Sequence, residues 1–310
     1  MNSIFKDVIE SIGKLVLDKE TQVKLSLSCL LAQGHLLIED LPGMGKTTLA
    51  QCLAKMLGLH YERVQFTSDL LPGDVLGGSI YDQKSGQFTF HEGPVFSQVL
   101  LSDEINRSTP KTQSALLEAM EEKQVTVDGD TRKLPQPFFV IATQNPLSQA
   151  GTYPLPESQL DRFLMCISLG YPSAQAERML LSGENPRDAL ADLKAMMTPS
   201  QLLDAQSLIP TVQASEQLID YVQRLVTYTR THERFSYGLS PRGAMALLRA
   251  SKAWAFVHNR EYVLPEDVQA VLPSVVEHRV QGYGSTQSYS SNGHDSLSQL
   301  LLQAVEVIER

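Results

Sequence analysis

Apolar and polar positions over the first 170 residues follow two rhythms. Short, nearly unbroken apolar runs at 35–39, 63–67, 98–102, 138–143 and 163–169 predict buried strands, because a strand covered on both faces shows water no polar side. Between them, apolar residues recur at helical spacing over 46–57 and over Pro110–Glu122. In the latter, Ala115, Leu116, Ala119 and Met120 share one face. Strands alternating with helices predict a parallel sheet with helices on both sides. Two segments break the rhythm. Residues 79–91 read as a hairpin, with Ile80 and Tyr81 before the Lys84-Ser85-Gly86 turn and Phe88 and Phe90 after it. Residues 124–134 read as a second, with Val125 and Val127 leading into Asp128-Gly129. Such insertions carry partner contacts or merely decorate the surface.

Beyond Tyr171-Pro172 the strand signals nearly vanish. Helices are expected over 174–182, 200–207, 216–232, 241–258, 265–278 and 296–308. Pro241 and Pro265 fall at first helical positions, where a missing N–H costs nothing. The Gly/Ser-rich stretch 282–295 predicts a loop before the last helix. Residues 1–20 scatter seven charges through an amphipathic pattern, unlike the apolar core of a secretory signal. No apolar run reaches the length of a spanning helix. These features predict a cytoplasmic chain without a membrane segment.

Composition narrows the picture further. A length of 310 residues suggests two domains, and 42% hydrophobic with 20% charged residues is ordinary for a soluble globular protein. The net charge is 26 − 35 = −9, shared between both parts of the chain. Without a basic domain, general nucleic-acid binding is disfavoured, since phosphate neutralisation needs clustered Lys and Arg. Cys29, Cys52 and Cys166 lie far apart with no C-x-x-C pair, so buried thiols are expected rather than disulfides or zinc.

Candidate chemistry begins at 35–49, HLLIEDLPGMGKTTL, where an apolar strand runs into a glycine-containing loop and then a helix. Glycines let a loop turn its N–H groups toward phosphate oxygens, and the helix behind presents its positive end. Gly43, Met44, Gly45, Lys46, Thr47 and Thr48 are therefore the candidate ATP-binding residues. Lys46 is assigned to the β- and γ-phosphates and the Thr47 hydroxyl to Mg2+. The common phosphate-loop pattern wants a glycine five residues before Gly45, and this chain has Asp40 there.

A second apolar strand ends in Asp103 and Glu104. Strand ends open into the ligand crevice of an α/β sheet, so Asp103 is placed to hold Mg2+ and Glu104 to act as general base on water. The run 138–143 leads to Gln144-Asn145-Pro146, where the Asn145 amide can hold water or the γ-phosphate without adding charge. Asn-Pro is also a common turn. Arg162 precedes the last strand, and Arg242 opens a later helix. Guanidinium forks suit charge spread over phosphoryl oxygens. By position alone, Asp161-Arg162 reads equally as a surface ion pair and Arg242 as a solvated helix residue.

In this combination the sequence resembles the MoxR family of AAA+ ATPases. The matching phrases are EDLPGMGKTTLA at 39–50, DLLPGDVLGGSIYD at 69–82, GPVFSQVLLSDEINRSTPKTQSALLEAMEEKQVTVDG at 93–129, FFVIATQNPLSQAGTYPLPESQLDRF at 138–163 and SPRGAMALLRASKAWA at 240–255. They run in family order over almost the whole chain. The resemblance implies an α/β fold: a three-layer αβα AAA+ core over 1–172, followed by an all-α lid over 173–310, assembled as a ring that is usually hexameric. It implies a Walker A loop at Gly43 to Thr48, of a form that accommodates Asp40, and a Walker B pair at Asp103 and Glu104. Asn145 corresponds to sensor 1, Arg162 to the arginine finger reaching a neighbour's ATP, and Arg242 to sensor 2 of the lid. The hairpin at 79–91 corresponds to the helix-2 insert and that at 124–134 to the presensor-1 hairpin.

The implied function is Mg2+-dependent ATP hydrolysis that drives chaperone-like maturation, activation or metal-cofactor insertion of a client complex. A protein with a von Willebrand factor A domain is the implied separate partner. A nucleic-acid-stimulated motor is the alternative, because related helix-2-insert ATPases move DNA. The acidic balance and the lack of a basic aromatic module oppose it.

Overall fold

Continuous apolar strands become the middle layer of the molecule. In the computed structural model, which describes residues 2–84, 86–145, 151–182, 190–282 and 296–307, the chain starts with α1 (Asn2–Gly13), α2 (Glu20–Leu31), β1 (Leu36–Glu39) and α3 (Lys46–Met56). It continues through β2 (Tyr61–Gln65), α4 (Pro72–Leu76) and the hairpin β3 (Gly77–Asp82) and β4 (Gln87–Glu92). Then come β5 (Val99–Asp103), α5 (Pro110–Glu122), the hairpin β6 (Gln124–Val127) and β7 (Asp130–Lys133), β8 (Phe139–Gln144), α6 (Glu157–Leu160) and β9 (Met165–Ile167). Five strands form one parallel sheet in the order β2-β5-β8-β1-β9. The strand period of two divides their side chains between two cores. Leu36, Ile38, Val99 and Leu101 pack with α1, α2 and α3, whereas Leu37, Leu100 and Val140 pack with α5 and Phe163.

After β9 the chain is mainly helical: α7 (Ala174–Leu181), α8 (Pro199–Leu208), α9 (Glu216–Thr231), α10 (Pro241–Val257), α11 (Pro265–Val276) and α12 (Leu297–Ala304). This is the expected αβα core followed by a helical lid. The helix starts are chemically set. Ser240 Oγ accepts from Gly243 N at 3.0 Å ahead of Pro241, and Asp267 accepts from Leu264 N at 2.7 Å around Pro265. The larger core cluster runs without a break from Phe5 and Leu27 into Trp254, Val268 and Leu272, so the lid helices share apolar packing with α1 and α2.

Several expected elements change. The strand expected at 63–67 is Tyr61–Gln65, because β2 is an edge strand and tolerates the polar start that an apolar-run criterion rejects. The strand expected at 163–169 shortens to Met165–Ile167. Phe163 and Leu164 are buried before it begins, and Leu164 N donates to His35 O at 2.8 Å. Helix α2 has no counterpart in the periodicity reading. Val23 and every residue from Leu25 to Leu31 are buried, so it shows no polar stripe. The last helix stops at Ala304. Gly282 of the expected loop joins β11 (Gln281–Gly282), which pairs with β10 (Phe235–Tyr237); the rest of it, 283–295, lies outside the described residues. Cys29 and Cys52 are buried as expected, and Cys166 is partly so. Burial pushes the Cys52 thiol up to about 12.

His35 ties the sheet to α5. Its Nδ1 accepts from Val140 N at 3.0 Å, which leaves Nε2 to donate to Met120 O at 3.3 Å. The ring is thus neutral, and burial holds its pKa down at about 4. An unfolded histidine titrates near 6.5, so its contribution to stability is complete above that pH and is lost as pH falls toward 4. From pH 7 to 5 this group should cost about 2 kcal/mol. His35→Gln, compared with the parent by urea unfolding at both pH values, should show a correspondingly shallower loss.

Candidate functional site

The loop after β1 has its shape imposed by two glycines. Gly43 (φ +86°) and Gly45 (φ +93°) adopt left-handed conformations that strain other residues, and the space beside both α-carbons is open. Helix α3 starts at Lys46 immediately behind. Lys46 is buried, and its Nζ donates to Asp40 O at 2.6 Å and to Asn145 Oδ1 at 3.2 Å. Burial lowers its pKa, opposed by the charges of Asp40, Asp103 and Glu104. Thr47 is half-buried, and Thr48 and Met44 pack inward.

Asp40, the residue that departs from the common pattern, is caged. Its Oδ2 accepts from Leu169 N and Gly170 N, both at 2.6 Å, and from Ser168 Oγ at 3.1 Å; Oδ1 accepts from Leu41 N at 2.9 Å. The carboxylate therefore ties the entry of the loop to the segment leaving β9. Asp40→Ala should lower stability by about 2 kcal/mol, because it leaves the buried Leu169 N–H and the part-buried Gly170 N–H without their charged acceptor. Urea unfolding measures this directly.

The β5 end supplies the acidic pair. Thr143 Oγ1 donates to Asp103 Oδ1 at 2.6 Å and accepts from Glu104 N at 2.9 Å, so one hydroxyl sets both residues. Glu104 is left-handed (φ 56°, ψ 50°), an unusual conformation for a residue other than glycine, and this turns its side chain away from the strand direction. All four carboxylate oxygens are engaged. Arg63 reaches Asp103 Oδ2 at 2.6 Å, while Gln65 (3.0 Å) and Arg107 (2.8 Å) reach Glu104 Oε2. Asn145 Nδ2 reaches Glu104 Oε1 at 3.2 Å. Hydrogen bonds thus join Lys46, Asn145, Glu104, Thr143 and Asp103 in one network.

Arg162 and Arg242 lie elsewhere. Arg162 pairs with Glu121 Oε2 at 3.2 Å and Arg242 with Glu121 Oε1 at 2.8 Å, so one carboxylate on α5 holds both. Asp161 does not pair with Arg162: Arg279 takes it, Nε to Oδ1, at 2.8 Å. Among the described residues, no hydrogen bond or ion pair links the two arginines to the Lys46–Asp103 network.

Beside the glycine loop a cavity of about 310 Å3 is lined by Gly43, Gly45 and Thr48, by Leu15 and Val16 of the α1–α2 connection, and by Ala176 and Leu180 of α7. Its mainly apolar walls suit a flat heteroaromatic ring next to a phosphate cradle. Sequence reasoning missed Leu15, Val16, Ala176 and Leu180, together with Arg63, Gln65, Arg107, Thr143, Glu121 and Arg279. Arg63 and Gln65 do carry a signal, since alternate positions on a strand share a face, but only the β2–β5 register places them opposite Leu101 and Asp103.

The two hairpins are as expected, and they touch. The Arg132 guanidinium sits 3.9 Å from the centre of the Phe90 ring. At the first hairpin, Ile80, Tyr81 and Phe88 are exposed, with the Tyr81 and Phe88 rings 5.3 Å apart.

Comparison with known proteins identifies the family. Residues 35–165 match the family model described as "ATPase family associated with various cellular activities (AAA)", and residues 227–299 match an AAA lid domain. The chain is 45% identical to the YeaC protein of Bacillus subtilis (strain 168), over 90% of this chain and 88% of that one. It is 39% identical to chaperone MoxR1 of Mycobacterium tuberculosis, over 88% of this chain and 74% of the relative. A crystal structure of an ATPase candidate from Cytophaga hutchinsonii ATCC 33406 superposes with a TM-score of 0.89 at 38% identity, covering 99% of this chain and 96% of that one. With the glycine loop, the paired carboxylates and the helical lid in one chain, the protein belongs to the MoxR family of AAA+ ATPases.

Proposed function

We propose that this chain hydrolyses ATP with Mg2+ in a ring of identical subunits, hexameric in the family's usual form, and uses the turnover to remodel a partner protein complex. The observation that carries the reading is the Asn145 amide, which joins Lys46 of the phosphate-binding loop to Glu104 at 3.2 Å on either side. A phosphate-binding cation and a candidate base in one network are the two halves of a hydrolytic site. In this reading residues 1–172 are the motor core and 173–310 the lid.

The residues present fit a Mg2+ ion. Such ions take one or two protein oxygens and complete their shell with phosphate and water, so no cluster of three carboxylate, His or Cys ligands is needed, and none occurs among the described residues. Asp103 already accepts a cation, the Arg63 guanidinium, at its Oδ2. The Thr47 hydroxyl and the Asp103 carboxylate would hold the ion, which when bound neutralises phosphate charge.

The chain's own residues account for the rest. The N–H groups of Gly43 to Thr48 wrap the phosphates, and Lys46 exchanges Asp40 O for the β- and γ-oxygens. Asn145 orients the attacking water, and Glu104 takes its proton as the water oxygen bonds to the γ-phosphorus. The bond from that phosphorus to the β,γ-bridging oxygen breaks with its electron pair going to ADP. Arg162, offered to a neighbouring subunit's ATP, stabilises the charge spread over the transferring group, and Arg242 acts from the lid beside it.

The similarity to the chaperone MoxR1 of Mycobacterium tuberculosis supports a remodelling role. A von Willebrand factor A domain protein as partner, and maturation or metal insertion as the outcome for the client, are the finer form of this reading. The exposed Ile80, Tyr81 and Phe88 offer an apolar contact surface. No described helix is long and apolar enough to cross a membrane, and we assign the protein to the cytoplasm. The nucleic-acid alternative gains no support, since Arg132 is engaged by Phe90 and by Asp130 at 3.0 Å.

The test is steady-state ATPase activity with Mg2+ across a wide range of protein concentration. Specific activity should climb with concentration as subunits complete each other's sites. Activity that persists unchanged in demonstrably monomeric protein would overturn the shared site, and none at any concentration would overturn the hydrolytic reading.

A further inference from the structure

We propose that Glu121 is a positioning residue, whose carboxylate gathers Arg162 of the core and Arg242 of the lid into one unit presented to a neighbouring subunit's nucleotide. The inference rests on the reading of Arg162 as a residue that works across a subunit boundary. It adds the group that aims it.

Two observations set Glu121 apart from an ordinary surface acid. First, each of its oxygens takes a different arginine, Oε2 with Arg162 at 3.2 Å and Oε1 with Arg242 at 2.8 Å, and those arginines come from segments 80 residues apart in sequence (242 − 162 = 80). Second, it stands in the last turn of α5, where the helix dipole disfavours an acid and where no basic residue of the helix compensates. Stability does not explain the arrangement. The side chains are 28%, 51% and 35% exposed for Arg162, Arg242 and Glu121, and ion pairs this open to water contribute little. What they do contribute is direction. Two guanidinium groups held by one carboxylate cannot swing independently, and their mutual repulsion is offset where they meet.

The lid also fixes the backbone that carries Arg162. The Arg279 side chain, only 4% exposed, bonds Asp161 Oδ1 at 2.8 Å, Leu164 O at 3.0 Å and Phe163 O. His278 Nε2 reaches Phe163 O at 3.0 Å. Leu160 and Phe163 are buried on either side of Arg162. The main chain at Arg162 is therefore held by core and lid together, and Glu121 is the contact that orients its side chain. A lid that moves away takes Arg242 off Glu121 and leaves Arg162 with a single, freer partner. The state of one subunit's lid is thereby felt at the next subunit's phosphates.

Glu121→Gln removes the charge and keeps the shape at a position open enough to fold normally. In the assembled protein, kcat should fall about ten- to a hundredfold, as for a misplaced catalytic group, with KM for ATP within about twofold. The decisive step is to mix subunits. E121Q protein keeps an intact nucleotide site of its own but offers a misaimed finger. E104Q protein has a dead site but offers a well-aimed one. Reassembled together, they should regain activity that neither shows alone, as should R162A with E104Q. If R162A is rescued and E121Q is not, Glu121 acts elsewhere and the proposal fails. If neither is rescued, the cross-subunit reading beneath it fails. Activity of E121Q alone at or above the parent level would make Glu121 dispensable or a restraint on Arg162, and would equally overturn it.

Discussion

Glu104→Gln is expected to bind ATP as tightly as the parent and to turn it over about 10²–10⁴-fold more slowly, the range for removal of a general base. The amide has the volume of the carboxylate but cannot accept the water's proton at neutral pH. The backbone should tolerate the change. The left-handed conformation at 104 is imposed by Thr143 Oγ1 on the main-chain N–H and is equally open to glutamine. Locally, the change is felt by the donors. Gln65, Arg107 and Asn145 all point hydrogens at the carboxylate, and an amide NH2 can face none of them. Gln65 and Arg107 share Oε2 and are both exposed to water, so they are expected to turn outward while Asn145 stays on the amide oxygen. Lys46 and the glycine loop are untouched, which is why affinity should survive. Nucleotide titration and steady-state turnover on the same preparation separate the two effects. Near-normal turnover would remove Glu104 from the chemistry.

The sheet was legible because parallel strands covered on both sides carry unbroken apolar runs, as Leu36–Ile38, Val99–Leu101 and Phe139–Ala142 do before their polar ends. The same principle hid α2, since a helix buried on all sides loses the period that identifies a helix. The glycine loop and the acidic strand end were legible for a different reason: their chemistry is local. A loop, a lysine and the helix behind them are neighbours in sequence, and a strand's last two residues are known once the strand is.

What could not be read depends on distant partners. Asp40 looked like a departure from pattern until the cage of Ser168, Leu169 and Gly170, about 130 residues away, gave it an acceptor's role. Thr143 is one of many threonines until the β5–β8 pairing sets it against Asp103. Asp161 and Arg162, adjacent and of opposite charge, invited the simplest pairing, and the fold separates them by giving each a partner from another element. Glu121 is the limiting case. Helix α5 carries Glu118, Glu121 and Glu122, and nothing in their spacing says which of them meets two arginines.

Arg162→Ala should lower kcat by about 10³–10⁵, the range for an arginine supplied to a transferring phosphoryl group from across an interface, while ATP affinity changes little. Arg162→Lys should fare nearly as badly. A single ammonium cannot span two phosphoryl oxygens, nor can it keep the bond to Glu121 while doing so. Structural damage is not the source of the loss, because the buried anchors of this segment are Leu160, Phe163 and the Arg279 contacts, all of which remain. The mixing experiment gives the effect a number. In randomly assembled rings of equal R162A and E104Q subunits, half the nucleotide sites have a working base. Half of those face an intact Arg162, so about a quarter of the parent activity should return. The double variant E104Q/R162A, mixed with R162A in the same way, has no intact finger anywhere and should restore nothing. A rescue that appears with the double variant would mean that the gain owes nothing to the Arg162 guanidinium, which no subunit of that mixture carries. A rescue confined to the single variant requires the guanidinium to cross the boundary, because no other group differs between the two mixtures.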